Sequence, residues 1–449
     1  MLTRIDHGEV WADGRLQHVS VLIEDERVAA LISPDLATQI RADCVIDAGG
    51  LWILPGGIDL HVHVSDGAET FSPGTCCAAA GGVTTVLDMA PFHGCVTSAQ
   101  YQAKVAQAEA ECVVDFGLVA GIVVSLDDLP DLGQLARLGA AYFKVFMPAD
   151  PPVTARELWP AVQVAARTGL RLGLHAEETG CLAGEVDWSD PLGFAHSRPV
   201  VAETAATAQL LEMARAAGAP VHVCHVSAAR TADLIAAAKA QGVEVTAEVP
   251  PHFLLLDENE FARQGPRVKT TPPLRTRGDT QAMWQALADG TLDALACDHF
   301  LGRLPGPPAA ADKQVSYDPS TMRDAPAGIG GLELSLPLLF SAGVQEGRLS
   351  LGRFVEVTAR QPAAIAGLAP QKGRLAVGAD ADLIFIDPDA EWTVANQGDF
   401  SRAETTPYAG WRLRGRVKRT MVRGRSVWDG ERITVEAGWG RHAPSRRPA

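Results

Sequence analysis

The sequence lacks the features that mark membrane-spanning and secreted proteins. Its most apolar run, residues 332–344, is interrupted by Glu333 and Pro337, and it is shorter than the roughly 18 residues that a spanning helix needs. The 8 cysteines are scattered and form no CxxC pair, so a zinc-ribbon motif is not predicted. The first residues contain no secretory signal, and we therefore expect free thiols and a cytoplasmic location.

Positive charge is also scarce. The chain carries 39 Lys and Arg against 54 Asp and Glu, a formal net charge of −15 at pH 7, and its basic residues form no stripe. A surface that binds nucleic acid or anionic membrane is therefore not expected. With 449 residues, 47% of them hydrophobic and 21% charged, the chain has the composition of a soluble globular protein with one large and one small domain.

The two ends of the chain differ from its middle. Residues 1–54 and 369–449 contain short strands joined by tight turns, which predicts one small β-sandwich domain formed by both termini. Residues 55–368 alternate apolar strands with Ala-rich stretches of helical period, such as 204–217 and 228–241. Eight such β-then-α units predict the α/β class and closure into a (β/α)8 TIM barrel. The candidate barrel strands are 58–64, 84–89, 113–122, 141–147, 170–176, 221–226, 243–249 and 292–297.

A long segment follows the eighth candidate strand. Residues 302–327 are rich in Pro, Gly and Ala, which predicts a loop rather than a helix. In a barrel, the loop after a strand lies at the catalytic face. This segment is therefore a candidate lid.

The first barrel strand carries two histidines at alternate positions. His61 and His63 share one face of the strand, because side chains at i and i+2 point the same way, and Asp59 lies on that face one step deeper. Two imidazoles on one face can bind a metal such as zinc. The alternative is a pair of hydrogen-bonded histidines. The position on the first barrel strand favours the metal.

A single lysine, Lys144, interrupts the apolar strand at residues 141–147. Burying an ammonium is costly, so this lysine is either paired or shifted toward the neutral amine. A neutral amine can react with CO₂ to give a carbamate whose two oxygens bridge two cations. The alternative is a lysine that forms a salt bridge at the end of the strand.

Three further polar residues lie at or near the C-terminal ends of apolar strands. His175 ends one strand, His225 ends another, and Asp298 ends the last. This is the face at which barrel enzymes perform chemistry. His222 has the opposite strand parity to His225, so we interpret it as structural. Four histidines, one lysine and one aspartate at a single rim predict a site with two divalent ions, which lower the pKa of bound water toward about 7. If the reaction is the hydrolysis of a cyclic amide, Asp298 is the catalytic group that moves a proton to the leaving nitrogen of the ring.

The motifs resemble those of the cyclic-amidohydrolase branch of the amidohydrolase superfamily, which includes allantoinases, hydantoinases/dihydropyrimidinases and dihydroorotases. The resemblance covers nearly the whole chain. It implies two zinc ions bridged by a carboxylated Lys144, with His61, His63 and Asp298 at one metal and His175 and His225 at the other. The matching segments are residues 55–63, 81–85, 143–146, 175–177, 197–199, 248–253, 272–275, 298–299, 330–333 and 373–383.

The resemblance also implies the substrate class, a cyclic amide or ureide. Dihydroorotases carry an arginine two residues after the second histidine of the HxH motif, and here that position is Ser65. Residues 143–146 and 405–411 resemble allantoinases most, with hydantoinases next. We therefore expect an allantoinase, with a hydantoinase/dihydropyrimidinase or a dihydroorotase as alternatives. The substrate-binding candidates are Ser65, His252, Arg275 and Gly330.

Two readings outside this branch remain open. One is a scaffold protein that has lost its metals, against which the complete ligand set argues. The other is a mononuclear deaminase on the same barrel, which would function without a bridging Lys144. Relatives in the branch are commonly dimers or tetramers, and the resemblance therefore implies a homo-oligomer.

Overall fold

The computed structural model describes residues 1–90, 94–129, 131–302, 322–396, 400–403 and 405–446. Its N-terminal part consists of short strands, which occupy much of the first 55 residues. They are β1 (Leu2–Asp6), β2 (Glu9–Ala12), β3 (Arg15–His18), β4 (Ser20–Glu24), β5 (Arg27–Ile32), β6 (Cys44–Asp47) and β7 (Trp52–Pro55).

The middle of the chain alternates strands and helices. Its strands are β8 (Gly57–Val62), β9 (Val83–Asp88), β10 (Asp115–Leu118), β11 (Ala120–Val123), β12 (Phe143–Phe146), β13 (Leu172–His175), β14 (Val221–Val223), β15 (Val245–Val249) and β16 (Ala294–Leu295). The C-terminal part adds β17 (Leu383–Thr393), β18 (Arg412–Val422) and β19 (Arg425–Trp428).

Helices follow the strands of the middle part, and one short helix lies in the N-terminal part. They are α1 (Pro34–Ala37), α2 (Phe71–Gly81), α3 (Ser98–Glu111), α4 (Leu132–Arg137), α5 (Ala155–Thr168), α6 (Gly193–His196), α7 (Val200–Ala217), α8 (Ala229–Ala240), α9 (Pro251–Leu255), α10 (Glu260–Gln264), α11 (Arg277–Asp289), α12 (Ser335–Leu339), α13 (Leu351–Val355) and α14 (Gln361–Ala366). The predicted helical stretches 204–217 and 228–241 correspond to α7 and α8.

Local sequence signals begin and end these helices. Thr154 caps α5 by accepting a hydrogen bond from a backbone N–H of the first turn, and the Thr154 backbone N–H donates to the Glu157 carboxylate. Gly169, with φ 66°, ends the helix in the left-handed conformation that glycine adopts easily. The same capping box begins α3 and α11.

The strands of the middle part run parallel, as a (β/α)8 barrel requires. One sheet has the order β10-β9-β8 and another the order β11-β12-β13-β14-β15-β16. The ring closes between β16 and β8, where Val62 bridges His299 and the Cys297 N–H donates to the Asp59 carboxylate. The C-terminal ends of the strands therefore meet at one mouth.

The third predicted strand, 113–122, was wrong as a single element. It is divided at Val119: β10 pairs with β9, whereas β11 pairs with β12. Gly121, at φ 123°, allows the break, because a Cβ there would meet the Lys144 carbonyl oxygen at 2.8 Å.

Two sheets contain the strands of the chain ends. Their orders are β5-β4-β1-β6 and β19-β18-β17-β7-β2-β3, so the larger sheet combines strands from both termini. One hydrophobic cluster joins the two sheets and includes Ile5 and Val21 of the smaller one and Ile53, Phe385 and Met421 of the larger one. Both ends of the chain share this core, as the predicted terminal domain requires.

The last described residues return to the bottom of the barrel. The Phe116 N–H donates to the Arg441 carbonyl at 3.1 Å, and the Ala443 N–H donates to the Phe116 carbonyl at 2.7 Å. Residues 441–443 thereby extend the sheet beside β10. The Ser445 N–H also bonds the Gly139 carbonyl at 2.9 Å.

Three further expectations concern features away from the site. All eight cysteines are unpaired. Across the described ranges, no helix combines the length and apolarity needed to span a bilayer. The candidate lid at 302–327 lies mostly outside the described residues, which resume at Met322.

Candidate active site

The structure brings the six predicted metal-site residues to one cavity of about 160 Å³ at the mouth of the barrel. They arrive from five different strands or the residues just after them. His61 lies on β8 with His63 just beyond it, Lys144 lies on β12, His175 ends β13, His225 follows β14 and Asp298 follows β16.

His61, His63 and Asp298 form the first half of the cluster. The Asp298 Oδ1 atom lies 3.4 Å from His61 Nε2 and 3.6 Å from His63 Nε2. All three ligand atoms lie within 4.8 Å of one another. Opposite charges around Asp298, chiefly His61, overcome the effect of burial and hold the pKa of this carboxyl well below its usual range.

His175 and His225 form the second half of the cluster. Their ring centroids are 4.5 Å apart, and the His225 ring lies 5.4 Å from the His61 ring. Burial lowers the pKa of His175, and burial, with His175 and Lys144 as neighbours, holds the pKa of His225 well below its usual range. Both imidazoles are therefore held neutral, which is the form that binds a metal.

Positive φ angles direct two of these side chains. His225 has φ 36° and Asp298 has φ 50°, in the left-handed region that non-glycine residues seldom adopt. The backbone leaves the regular strand geometry here, so β14 and β16 are shorter than the predicted strands. Strained non-glycine residues of this kind cluster at functional sites.

His222 lies beneath this cluster and has both ring nitrogens occupied. Its Nδ1 is 2.9 Å from Thr246 Oγ1 and its Nε2 is 3.0 Å from Glu248 Oε2. This environment agrees with its interpretation as a structural residue. The opposite strand parity of His222 and His225 was by itself an incomplete reason for this interpretation, because the positive φ of His225 interrupts the alternation of side chains along the strand.

Three buried or half-buried carboxylates hold the outer nitrogens of the histidines. Glu248 Oε1 is 2.5 Å from His61 Nδ1, and Asp66 Oδ2 is 3.1 Å from His63 Nδ1. Glu177 Oε2 is 2.7 Å from His175 Nε2. Such carboxylates fix the tautomer and orientation of histidines that bind metals.

The Glu177 carboxylate is itself held by a cation. Arg198 donates to both of its oxygens, at 3.0 and 2.5 Å. Burial opposes ionisation, but the His175 hydrogen bond and the Arg198 charge lower the pKa of Glu177 to about 2.

Sequence reasoning missed these supporting carboxylates, although signals for two of them existed. Glu177 lies two residues after His175, and Glu248 is a carboxylate in an otherwise apolar strand. Pairing them with particular histidines requires the fold, since Glu248 and His61 are 187 positions apart.

The cluster fits a pair of divalent ions. Lys144 Nζ and His225 Nδ1 are buried and have no hydrogen-bond partner among the residues that the structure describes. Buried polar atoms without partners are rare and costly, which indicates that a further group completes the site. Imidazole nitrogens with a carboxylate oxygen are donors that zinc accepts.

The cavity also has walls that the sequence did not identify. Met89, Ile122, Phe146 and Phe300 provide apolar surface around the cluster. On another side, two polar side chains and a stretch of backbone complete the lining, which there comprises Thr270, Thr271, Ala327 and Gly328.

None of the four predicted substrate-binding residues is among the described residues that line this cavity. The Ser65 hydroxyl donates to Asp88 at 2.6 Å. Arg275 donates to Ser227 Oγ at 3.0 Å and to the Arg198 carbonyl at 2.5 Å. These contacts occupy both side chains within the protein.

The other two predicted substrate-binding residues also lie outside the lining of this cavity. His252 is buried, and burial lowers its pKa to about 4. Gly330 packs near Leu301 and Ala403. Their proposed contacts with substrate stay predictions.

Comparison with known proteins agrees with this fold. The model of the amidohydrolase family matches residues 52–427. The chain therefore belongs to the amidohydrolase family. Within that family its relatives are dihydroorotases, hydantoinases and allantoinases, the cyclic-amidohydrolase branch that the motifs indicated.

The individual relatives divide among these activities. A dihydroorotase of Lactiplantibacillus plantarum is 35% identical over 446 residues, covering 96% of this chain and 99% of the relative. An allantoinase of Rubrobacter xylanophilus is 36% identical over 424 residues, covering 90% of each chain. The crystal structure of a dihydropyrimidinase from Brevibacillus agri NCHU1002 has a TM-score of 0.90 at 29% identity and covers 100% of both chains.

Proposed function

We propose that this protein is a binuclear metal-dependent hydrolase that opens a hydantoin-like cyclic amide, with allantoin as the first substrate to test. The observation that carries the proposal is the convergence of four histidines, one aspartate and an unpartnered buried lysine on one cavity. Hydantoinase/dihydropyrimidinase and dihydroorotase activities are the alternatives.

In this proposal each half of the cluster holds one ion. His61, His63 and Asp298 hold the first, and His175 and His225 hold the second. Lys144 Nζ would attack CO₂, forming an N–C bond and releasing one proton, and the resulting carbamate would supply oxygen donors to the metal pair. When bound, two zinc ions supply Lewis acidity and lower the pKa of water toward about 7.

The protein side chains position the reaction and move its proton. Asp298 accepts a proton from the attacking water and delivers it to the ring nitrogen as the amide C–N bond breaks. Its pKa lies well below the usual range, so the carboxylate starts in the ionised form. Glu248, Asp66 and Glu177 keep the histidines in one orientation while this transfer occurs.

The cavity lining favours an uncharged ring. Of the acidic and basic side chains among its described lining residues, only Asp66 is not assigned to the metal cluster. The described lining therefore has no Lys or Arg left to pair with a substrate carboxylate such as that of dihydroorotate. Ser65, which stands where dihydroorotases carry arginine, is bound to Asp88.

Further elements of the proposal concern the whole molecule. They are a homo-oligomer, either dimer or tetramer, a cytoplasmic location, and a domain division into residues 1–54 with 369–449 and 55–368. The larger sheet, which combines strands from both termini, and the core that it shares with the smaller sheet support the division.

The test is ring opening of allantoin, hydantoin, dihydrouracil and dihydroorotate by zinc-loaded protein, with Asp298→Asn as the key variant. We expect turnover of a neutral ring and a loss of about 100-fold or more in kcat for Asp298→Asn, since general acid–base catalysis contributes that much. Asp293→Asn, near the other end of the same strand and bonded to Lys239, is the matched control. Wild-type turnover by Asp298→Asn would remove its role as the proton carrier, and a metal-free, inactive protein would support the scaffold.

A further inference from the structure

Lys269 lies beside the cavity and holds the chain that returns after β16. Its Nζ donates to the carbonyl oxygens of Ala325 at 2.6 Å, Met322 at 2.8 Å and Arg323 at 3.4 Å. An ammonium has three N–H donors, so these three carbonyls use all of them. The side chain therefore binds one short stretch of backbone, 322–325.

Two aromatic rings surround the same ammonium. Lys269 Nζ is 5.6 Å from the centre of the Trp188 ring and 5.1 Å from that of the Phe194 ring. Both rings belong to the connection between β13 and α7, so Lys269 joins the loops that follow three different strands. Cation–π contacts at such distances add to the hydrogen bonds.

This stretch of backbone continues directly into the cavity wall. Ala327 and Gly328 line the cavity, and so do Thr270 and Thr271, which follow Lys269 in the chain. The Gly328 N–H also donates to the Lys269 carbonyl at 2.8 Å. Lys269 thus binds residues 322–325 with its side chain and Gly328 with its backbone carbonyl.

The wall has little freedom to adopt another shape. Gly328 has φ 151°, and a Cβ there would lie 2.4 Å from the Phe300 carbonyl oxygen. Phe300 lines the cavity as well. A shift of 322–325 would therefore move Gly328 against Phe300 or away from the site.

We infer that Lys269 is a positioning residue that fixes the substrate-binding wall at 325–328 by binding the carbonyls of residues 322–325. The inference deepens the proposed function and rests on it only for the identity of the substrate. Lys269 touches neither the metal cluster nor the cavity, and its effect passes through the backbone that it holds. Loss of the ammonium should therefore change substrate binding and leave the metal ligands in place.

The partners of Lys269 explain why a side chain without hydrogen-bond donors would not replace it. Within the described residues Lys269 forms no ion pair with a carboxylate, and burial lowers its pKa while the charge of Asp324 opposes that shift. The ammonium is stabilised chiefly by carbonyl dipoles and aromatic faces. Methionine has a similar length but no donors, so Lys269→Met leaves the buried Ala325 carbonyl without its donor and removes the Lys269 bonds to the more exposed carbonyls of Met322 and Arg323.

The experiment compares Lys269→Met, Lys269→Arg and Lys239→Met in zinc-loaded protein. Lys239 is the control, because it is a half-buried lysine that also bonds a backbone carbonyl, that of Gly290, but lies away from the cavity and pairs with Asp293. Hydrogen–deuterium exchange of peptides covering 322–330 reports on the wall independently of activity. Steady-state kinetics on the ring that wild type opens separates KM from kcat.

We expect Lys269→Met to accelerate exchange in 322–330 and to raise KM about 10-fold or more, with kcat within about 3-fold and zinc content unchanged. Lys269→Arg, which keeps donors and charge, should recover most of both effects, and Lys239→Met should show neither. Unchanged exchange and KM in Lys269→Met would overturn the inference. Equal increases in exchange and KM in Lys269→Met and Lys239→Met would overturn it as well. If exchange rises in Lys269→Met alone but no cyclic amide is opened by wild type, the positioning role stands and the proposed function fails.

Discussion

Lys144 at the mouth of the barrel and Lys372 at its bottom are buried to a similar extent, with 3% and 6% of their surface exposed. Their surroundings differ. Lys372 Nζ bonds Asp115 at 2.6 Å and Asp382 at 2.7 Å, and it lies 3.2 Å from Asp380. Lys144 Nζ has no hydrogen-bond partner in the described part of the chain.

The bottom of the barrel resolves the cost of burying charge by pairing. Asp115 begins β10, whereas Asp380 and Asp382 precede β17, so the lysine connects the barrel to the C-terminal strands. Arg423 contacts Asp115 as well. Removing one member of such a buried cluster leaves the other charges buried without a partner, which is strongly destabilising.

At the mouth, no described protein group offsets the cost of burying the Lys144 side chain. Neutral histidines surround Lys144, and their pKa values are lowered partly by its charge. A side chain kept in such a place contributes little to the stability of the metal-free fold. The paired Lys372 joins the barrel to the C-terminal strands, whereas the unpaired Lys144 is available for a ligand or a covalent modification.

The largest expected effect is the loss of activity on replacing Lys144. Lys144→Met should reduce kcat by about 1,000-fold or more, because removing a group on which the whole catalytic cluster depends has effects of this size. Bound zinc should fall below two ions per chain. The thermal midpoint of metal-free protein should stay equal or rise, since no protein partner is lost.

Metal analysis, ring-opening rates and thermal unfolding check this expectation. Reactivation of metal-free wild type should be slower in CO₂-depleted buffer and recover with bicarbonate, and Lys144→Met should respond to neither. Full turnover with bound metal in Lys144→Met would support the mononuclear alternative.

The second effect concerns stability at the bottom of the barrel. Lys372→Met leaves Asp115, Asp380 and Asp382 close together without their cation and should cost about 3–5 kcal/mol of unfolding free energy. Rates per bound metal should stay at the wild-type level in the fraction that remains folded. Urea unfolding of the metal-free proteins measures the cost.

Lys418→Met is the control for that measurement, because Lys418 is exposed on β18. It should change the unfolding free energy by no more than about 0.5 kcal/mol. A Lys372→Met variant as stable as this control would show that the buried acids do not depend on the lysine.

Much of the site was predictable from the sequence because its signals are local. The alternation of His61 and His63 gives a shared face, and His175 ends an apolar strand at the side where barrel enzymes act. Lys144 is conspicuous as the one charge in its strand. The family motifs then joined these local signals into one cluster.

The remainder depends on contacts between distant segments. Pairing Glu248 with His61, or Lys269 with the carbonyls of 322–325, requires knowledge of which loops meet above the barrel. The division of 113–122 into β10 and β11 likewise follows from two different neighbouring strands. Ser65 and Arg275 were chosen by chain position, and the structure shows both bonded within the protein.

The smallest expected effect tests the bottom of the barrel with pH. His442 bridges Phe116 of β10 and lies 3.2 Å from the Tyr101 hydroxyl, and burial lowers its pKa from 6.5 to about 4. Between those values the unfolded chain binds a proton that the folded protein excludes, so stability falls as the pH decreases from 6.5 to 4. His442 should contribute at most about 3 kcal/mol to that loss. His442→Gln does not titrate, so the drop in unfolding free energy from pH 7 to pH 4 should be smaller in this variant than in wild type. Equal drops in the two proteins would mean that His442 is already solvated and that residues 441–443 add little to the closure of the barrel.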